Sequence, residues 1–68
     1  MQVSHFSDNS LRSLHLAIRD CLEKDNALEN EQKDFLYGVK VYSDWREWCD
    51  ILEQEMTDRD IKFEPIEF

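Results

Sequence analysis

The amino-acid sequence predicts an α+β fold in which two amphipathic helices pack on a short two-stranded sheet, within a single domain over residues 1–68. Two segments place apolar residues at helical spacing, and two others alternate apolar and polar residues as strands do. A strand, a helix and a strand follow one another in the second half, an order that favours parallel strands in a β-α-β unit. A helical hairpin with extended tails is the alternative fold.

The first helix is predicted over Ser7–Lys24. Ser7 suits the N-cap, and Phe6 and Leu11 have the spacing of a hydrophobic staple. The residues that share the apolar face of this helix are Leu11, Leu14, His15, Ile18, Cys21 and Leu22. Leu16 falls outside that face, so we expect it to be exposed or to contact a partner.

The segment that follows supports two interpretations. Asn26 precedes a carboxylate at capping-box spacing, so a short helix through Tyr37 is one prediction, and Gly38 would end it in a left-handed conformation. A structured loop over residues 27–37 is the alternative, because few apolar residues there could anchor a helix. Alternation then predicts a strand over residues 37–42.

The second helix is predicted over Asp44–Asp58, with a capping box formed by Asp44 and Glu47. Its apolar stripe consists of Trp45, Trp48, Cys49, Leu52 and Met56. We expect the first helix to pack beside the second on the same face of the sheet.

The tail over residues 61–68 alternates on both sides of Pro65 and is predicted to be an edge strand. A kink at Pro65 would keep all four apolar side chains of the tail pointing inward. The open edge of so small a sheet is expected to pair with a third strand at Met1–Phe6 or with a second copy of the chain.

Charge excludes several classes of function. The chain has 8 basic and 16 acidic residues and a formal net charge of −8, which argues against direct binding to nucleic acid or to anionic membranes.

No apolar stretch is long enough to span a bilayer, and the first residues lack the pattern of a signal peptide. We therefore expect a cytoplasmic protein in which Cys21 and Cys49 stay reduced.

The sequence predicts neither a metal site nor an active site. The candidate metal ligands His5, His15, Cys21 and Cys49 lack any recognised metal-binding spacing. Neither cysteine has a neighbouring positive charge to lower its pKa, and no carboxylate stands out as a general acid. The protein is accordingly predicted to be non-enzymatic, with no catalytic residue, no metal and no cofactor.

An apolar patch is the first candidate for partner binding. Trp48 and Ile51 form an apolar flank beside the core stripe of the second helix, and tryptophan is enriched at the energetic centres of protein interfaces. The residues predicted to form this patch are Trp48, Ile51, Leu16 and Tyr42. The sequence therefore predicts a small acidic protein-interaction module or regulator that binds another protein or a second copy as a homodimer.

The acidic residues give an alternative. Residues 44–68 contain nine acidic and three basic residues, hence −6 of the total −8. Glu47, Asp50 and Asp58 fall on the outer face of the predicted second helix, where their carboxylates could imitate phosphates. The alternative function is an inhibitor that mimics nucleic acid and occupies a basic nucleic-acid-binding protein. An acidic face that only aids solubility is the other interpretation.

Overall fold

The computed structural model describes residues 2–68 and contains two helices, α1 over Asp8–Asn30 and α2 over Ser43–Asp58. The helices run antiparallel, because the side chain of Asp8 at the start of α1 lies 3.0 Å from Arg59, which follows the end of α2. Residues 2–68 contain no strand. The predicted α+β sheet with its β-α-β crossover is therefore wrong, and the helical hairpin, predicted as the alternative, describes the fold.

The start of α1 is the one predicted. The Oγ atom of Ser7 accepts a hydrogen bond of 3.1 Å from the backbone N–H of Ser10, which caps the helix. Phe6 packs against the core cluster that contains Leu11. Leu14 was expected on the buried face but is exposed. The buried residues of α1 are Leu11, His15, Ile18, Leu22 and Asp25.

Helix α1 continues six residues beyond the predicted end at Lys24. Asn26, expected to cap a separate short helix, lies inside α1 instead. The helix ends in a Schellman motif, in which Lys33 N–H donates to the carbonyl of Leu28 at 2.8 Å and Gln32 adopts a φ of 60°. Helix α2 ends in the same way at Asp60, so both helix ends place a non-glycine residue in the left-handed region.

A loop over residues 31–42 replaces both the predicted short helix and the predicted strand. Gly38 has a φ of +73°, which is the left-handed conformation expected of it. It does not end a helix, however, but belongs to a turn in which the N–H groups of Val41 and Tyr42 donate to its carbonyl. A Cβ atom at Gly38 would lie 2.6 Å from the Tyr42 ring, so the turn also needs the missing side chain. The strand does not form because the Asp25 carboxylate takes backbone N–H groups that a sheet would need.

Helix α2 begins at Ser43, one residue before the predicted start, and ends at Asp58 as predicted. Tyr42 occupies the N-cap position and makes no side-chain capping bond, so the predicted capping box of Asp44 and Glu47 is wrong. Asp44 lies in the first turn, where a carboxylate is favoured by the helix dipole. The buried residues of α2 are Cys49, Leu52 and Met56.

Both tails pack on the helices without forming strands: residues 3–6 form a turn in which the Phe6 N–H donates to the Val3 carbonyl, and residues 61–68 have no regular secondary structure. Ile61 is buried, and the other apolar side chains of the C-terminal tail, Phe63, Ile66 and Phe68, pack against the core. The inward direction was expected, but the edge strand that was to produce it does not form. Arg19 holds this tail by donating to the carbonyl of Glu64 at 2.6 Å. No sheet edge is available for pairing among the described residues.

The N-terminal segment is held by Arg59. Its guanidinium donates to the carbonyl oxygens of Phe6 at 2.6 Å and Ser4 at 3.0 Å, and Val3 is buried in the core. The predicted third strand is therefore wrong for residues 2–6, and Met1 lies outside the described residues.

Glycine at position 32 should stabilise the fold. A left-handed backbone costs a residue with a Cβ about 1 kcal/mol and costs glycine almost nothing. We expect Gln32→Gly to raise the free energy of unfolding by about 0.5–1 kcal/mol in urea denaturation. Glu31→Gly is the matched control, because Glu31 has a φ of −87° and should only lose stability. Equal losses in both variants would contradict the left-handed assignment.

Candidate functional site

The outer face of α2 presents the acidic residues that the sequence analysis selected. Glu47, Asp50 and Asp58 are all exposed, and Asp44 extends the row toward the start of the helix. At 100° per residue the four lie within about 120° of the helix circumference, on the side opposite the buried Leu52. Glu47 and Asp58 are eleven residues apart, which is about 16 Å along the helix. We call Asp44, Glu47, Asp50 and Asp58 the acidic stripe.

The acidic stripe has no cationic partner within residues 2–68. The ion pairs of the described residues join His15 to Glu53, Arg19 to Glu64, Lys33 to Glu31, Lys40 to Glu29, and Arg59 to Asp8 and Glu55. Arg46 is the one basic residue of α2, and its guanidinium lies 5.4 Å from the centre of the Phe68 ring. The charge of the stripe is therefore left facing solvent.

The four residues of the predicted apolar patch are all exposed, but they line different surfaces. Ile51 lines a shallow groove with Val3 and Gln54. Leu16 lines another groove, beside Phe63 of the C-terminal tail. Tyr42 belongs to the loop after α1. The structure thus separates Leu16 and Tyr42 from the pair that lies on α2.

Trp48 and Ile51 are three residues apart on α2. Trp48 borders the acidic stripe, whereas Ile51 lies within its arc and lines a groove with Asp50 and Asp58. The Trp48 ring packs edge-to-face on Trp45 at a centroid distance of 5.9 Å, and Trp45 contacts Tyr37 of the loop in the same manner at 6.4 Å. One side of the Trp48 ring is thus held by the fold while the remainder faces solvent. This arrangement gives the stripe a firm apolar border.

A buried polar cluster joins α1, α2 and the C-terminal tail, and sequence reasoning did not bring its members together. The Oε2 atom of Glu53 accepts hydrogen bonds from Nε2 of His15 at 2.7 Å, from the Cys49 thiol at 3.2 Å and from the N–H of Ile66 at 3.0 Å. One potential ligand atom from each of the three side chains lies within 4.8 Å of the others. The one sequence signal was the four-residue spacing of Cys49 and Glu53, which puts them on adjacent turns of α2.

Hydrogen bonds set the ionisation of this cluster. Burial alone would raise the pKa of Glu53, but the bonds from His15, the Ile66 N–H and Cys49 hold that pKa below its ordinary value of 4.5. Burial and the neighbouring Glu53 carboxylate raise the pKa of the Cys49 thiol to about 12. The carboxylate is thus charged and the thiol protonated at neutral pH.

In this protonation state the three side chains are hydrogen-bonded to one another. A catalytic cysteine acts as a thiolate next to a base, whereas the Cys49 thiol donates a hydrogen bond to Glu53 and is only 1% exposed. Nε2 of His15 and Oε2 of Glu53 are 2.7 Å apart, the distance of a short hydrogen bond. The cluster is built as a hydrogen-bonded link between the tail and the helices.

A second buried carboxylate organises the loop. Asp25 is 5% exposed and accepts the backbone N–H groups of Leu36, Tyr37 and Val39, each at 2.9 Å. Burial alone would raise the pKa of Asp25, but the N–H groups of Val39, Tyr37 and Leu36 outweigh it and hold the pKa below its ordinary value of 3.8. The loop thus has a fixed shape at neutral pH.

Comparisons of this chain with protein-family models, with curated proteins and with solved structures found no match. Within residues 2–68, no helix is both long enough and apolar enough to cross a membrane.

Only one of the two thiols should react with a disulfide reagent in the folded protein. Cys21 is half-buried and Cys49 is buried, and with a pKa of about 12 only about one Cys49 thiol in 100,000 is ionised at pH 7. We expect one thiol per chain to react with Ellman's reagent in buffer and two to react in denaturant. The variant Cys21→Ser should show no fast reaction while folded. A fast reaction in that variant would contradict the buried thiol.

The fold should lose stability in acid through Asp25 and Glu53. The pKa of each carboxyl is lower in the folded chain than its ordinary value of 3.8 or 4.5, so the unfolded chain takes up protons first. Their contribution is fully present above about pH 5 and is lost as the pH falls through the folded-state values. Urea denaturation between pH 2.5 and pH 7 should show this decline.

The double variant Asp25→Asn, Glu53→Gln provides the control for the acid effect. It should be less stable than the natural chain at pH 7 and should lose less free energy of unfolding between pH 5 and pH 3. An unchanged acid dependence would assign the effect to other carboxyls.

Proposed function

We propose that this protein is an acidic inhibitor that mimics nucleic acid and occupies the binding surface of a basic nucleic-acid-binding protein. The observation that carries the proposal is the acidic stripe on α2, a row of exposed carboxylates that the chain's own cations leave unpaired. Ion pairs within the described residues engage acidic side chains elsewhere. The stripe therefore keeps its charge for a partner.

The backbone of α2 suits this role because it is rigid. The carboxylates of the acidic stripe recur along one face of a regular helix whose opposite face is packed into the core. Duplex DNA presents one phosphate per about 3.4 Å of each strand, so a stripe of about 16–21 Å offers fewer charges than DNA of equal length. The best target is a protein whose basic surface contacts a few phosphates on one side.

The net charge adds a long-range electrostatic attraction to a basic partner. A body of 8.2 kDa with a charge of −8 attracts a basic surface before contact and raises the rate of association. The same negative charge repels nucleic acid. The protein therefore does not bind the DNA or RNA that its target binds. Both effects weaken as salt screens the charges.

An apolar interaction module is the second candidate, favoured by the exposure of Trp48 and Ile51 beside the stripe. In this case the apolar border supplies most of the binding energy and the carboxylates only orient the partner. The absence of enzymatic activity and the cytoplasmic location remain predictions from the sequence.

Salt dependence and charge reversal separate the two candidates. The immobilised chain should capture a nucleic-acid-binding protein from a lysate of the source cells at ~50 mM salt and release it at ~500 mM. Duplex DNA or RNA should displace the captured protein, because both ligands occupy one basic surface. The triple variant Glu47→Lys, Asp50→Lys, Asp58→Lys should reduce capture at least about ten-fold.

The matched control reverses three exposed carboxylates away from the stripe. The variant Asp20→Lys, Glu23→Lys, Glu67→Lys changes the net charge by the same amount and should keep most of the capture. Loss of capture in Trp48→Ala, with no effect of salt or of nucleic acid, would favour the apolar module. Equal losses in both triple variants would show that net charge alone, without the stripe, drives binding.

A further inference from the structure

Three groups of different metal-binding chemistry converge where α1 packs against α2. Nε2 of His15 on α1, and Sγ of Cys49 and Oε2 of Glu53 on α2, all lie within 4.8 Å of one another. His15 is 5% exposed and Cys49 is 1% exposed. Imidazole nitrogen, thiolate sulfur and carboxylate oxygen are the donor types of protein zinc sites. No spacing in the sequence shows this set, because the histidine and the glutamate are 38 positions apart.

The distances between the donor atoms are close to those that a single ion requires. Bonds of about 2.0–2.3 Å at tetrahedral angles place two donors of a zinc ion about 3.3–3.7 Å apart. Oε2 of Glu53 lies 2.7 Å from Nε2 of His15 and 3.2 Å from the sulfur of Cys49. An ion therefore requires these atoms to separate by about 0.3–0.7 Å. Small rotations about the side-chain bonds supply this movement.

The charges of the three ligands balance a divalent ion. In the metal-free chain, burial and the Glu53 carboxylate keep the proton on the Cys49 thiol, whereas a coordinating metal ion deprotonates a thiol outright. The thiol proton leaves to solvent, and the His15 imidazole binds through Nε2 with its proton on Nδ1. One thiolate, one carboxylate and one neutral imidazole sum to −2, so the loaded site is neutral and can be buried.

Neighbouring groups position the ligands and leave a route for the ion. The Ile66 N–H donates to Glu53 at 3.0 Å, and the Phe63 ring packs edge-to-face on His15 at a centroid distance of 5.3 Å. Contacts of this kind orient metal ligands. His15 also lines a groove of about 210 Å³ next to Phe63 and Arg19, and the Glu53 side chain is 19% exposed. Solvent therefore has access to the cluster.

The one nearby cation is compatible with an ion at this place. The charge of Arg19 acts on Cys49, and a positive side chain beside a metal ion raises the cost of binding. The Arg19 guanidinium donates to the carbonyl of Glu64 at 2.6 Å and lies 4.0 Å from the carboxylate of the same residue. Its charge is thus already directed to the C-terminal tail.

We propose that His15, Cys49 and Glu53 form a zinc site, in which the ion binds one imidazole nitrogen, one thiolate and one carboxylate, with water as the fourth ligand. The ion replaces hydrogen bonds between the helices with coordination bonds and so stabilises the fold. The site is independent of the proposed inhibitor function, because its ligands on α2 face α1 and the acidic stripe faces solvent.

Cobalt(II) titration of the reduced, metal-free 68-residue chain tests the site. A cobalt–thiolate bond absorbs in the near ultraviolet by charge transfer, and tetrahedral cobalt absorbs strongly in the visible. The variant Cys21→Ser leaves Cys49 as the sole thiol, so a charge-transfer band in this variant reports Cys49 alone. We expect one equivalent of cobalt to produce both bands there and zinc to abolish them. His5→Gln removes the other histidine and should leave the bands unchanged.

Variants of the ligands and a second metal provide the comparisons. Cys49→Ser should remove the charge-transfer band, and His15→Gln should weaken cobalt binding at least about ten-fold, with helix content checked by circular dichroism. Excess zinc should raise the melting temperature of Cys21→Ser by at least about 5 °C and should leave that of Cys49→Ser unchanged. Magnesium prefers oxygen ligands and should neither shift the melting temperature in the same way nor displace cobalt.

The Cys21→Ser chain decides the outcome even if the ligand variants fail to fold. A folded Cys21→Ser chain that shows no charge-transfer band at about 1 mM cobalt would overturn the site. Cobalt bound without that band and displaced by magnesium would place the ion among exposed carboxylates, which also overturns it. Capture of a basic protein by the acidic stripe is a separate measurement, so either proposal can fail while the other stands.

Discussion

The carboxylate of Asp25 accepts three backbone N–H groups from residues eleven to fourteen positions further along the chain, and much of the molecule depends on this contact. It satisfies donors that would otherwise be left unpaired beneath the loop, each of which is costly to bury alone. Asp25 makes this contact from within α1, which continues to Asn30. It fixes the backbone of Leu36, Tyr37 and Val39 relative to α1.

The tails are attached by the same kind of interaction. Arg59 donates to carbonyl oxygens of the N-terminal segment, Arg19 donates to the C-terminal tail, and Glu53 accepts the N–H of Ile66. Tail segments with no neighbouring strand have backbone groups to satisfy, and side chains from the helices satisfy several of them. A chain of 68 residues has too little area for a large core, so these contacts add order that apolar packing alone would not provide.

The contacts made by the basic residues also determine which carboxylates remain unpaired. The basic residues lie mostly where they hold the tails or pair with α1 and the loop, so α2 keeps its outer carboxylates unpaired.

The sequence by itself determined the two helices, the cap at Ser7, the end of α2 and the exposure of Glu47, Asp50 and Asp58, because periodicity and capping act over a few residues. The inward direction of the tail side chains was also expected, although the edge strand that was to produce it does not form. Only the tertiary structure decided that no sheet forms, that Leu16 and Tyr42 lie apart from Trp48, and that His15 meets Glu53. Each of these depends on partners distant in sequence. The alternating segments could have paired as strands, but the carboxylate of Asp25 and the packing of the tails took the hydrogen bonds and the apolar faces that a sheet requires.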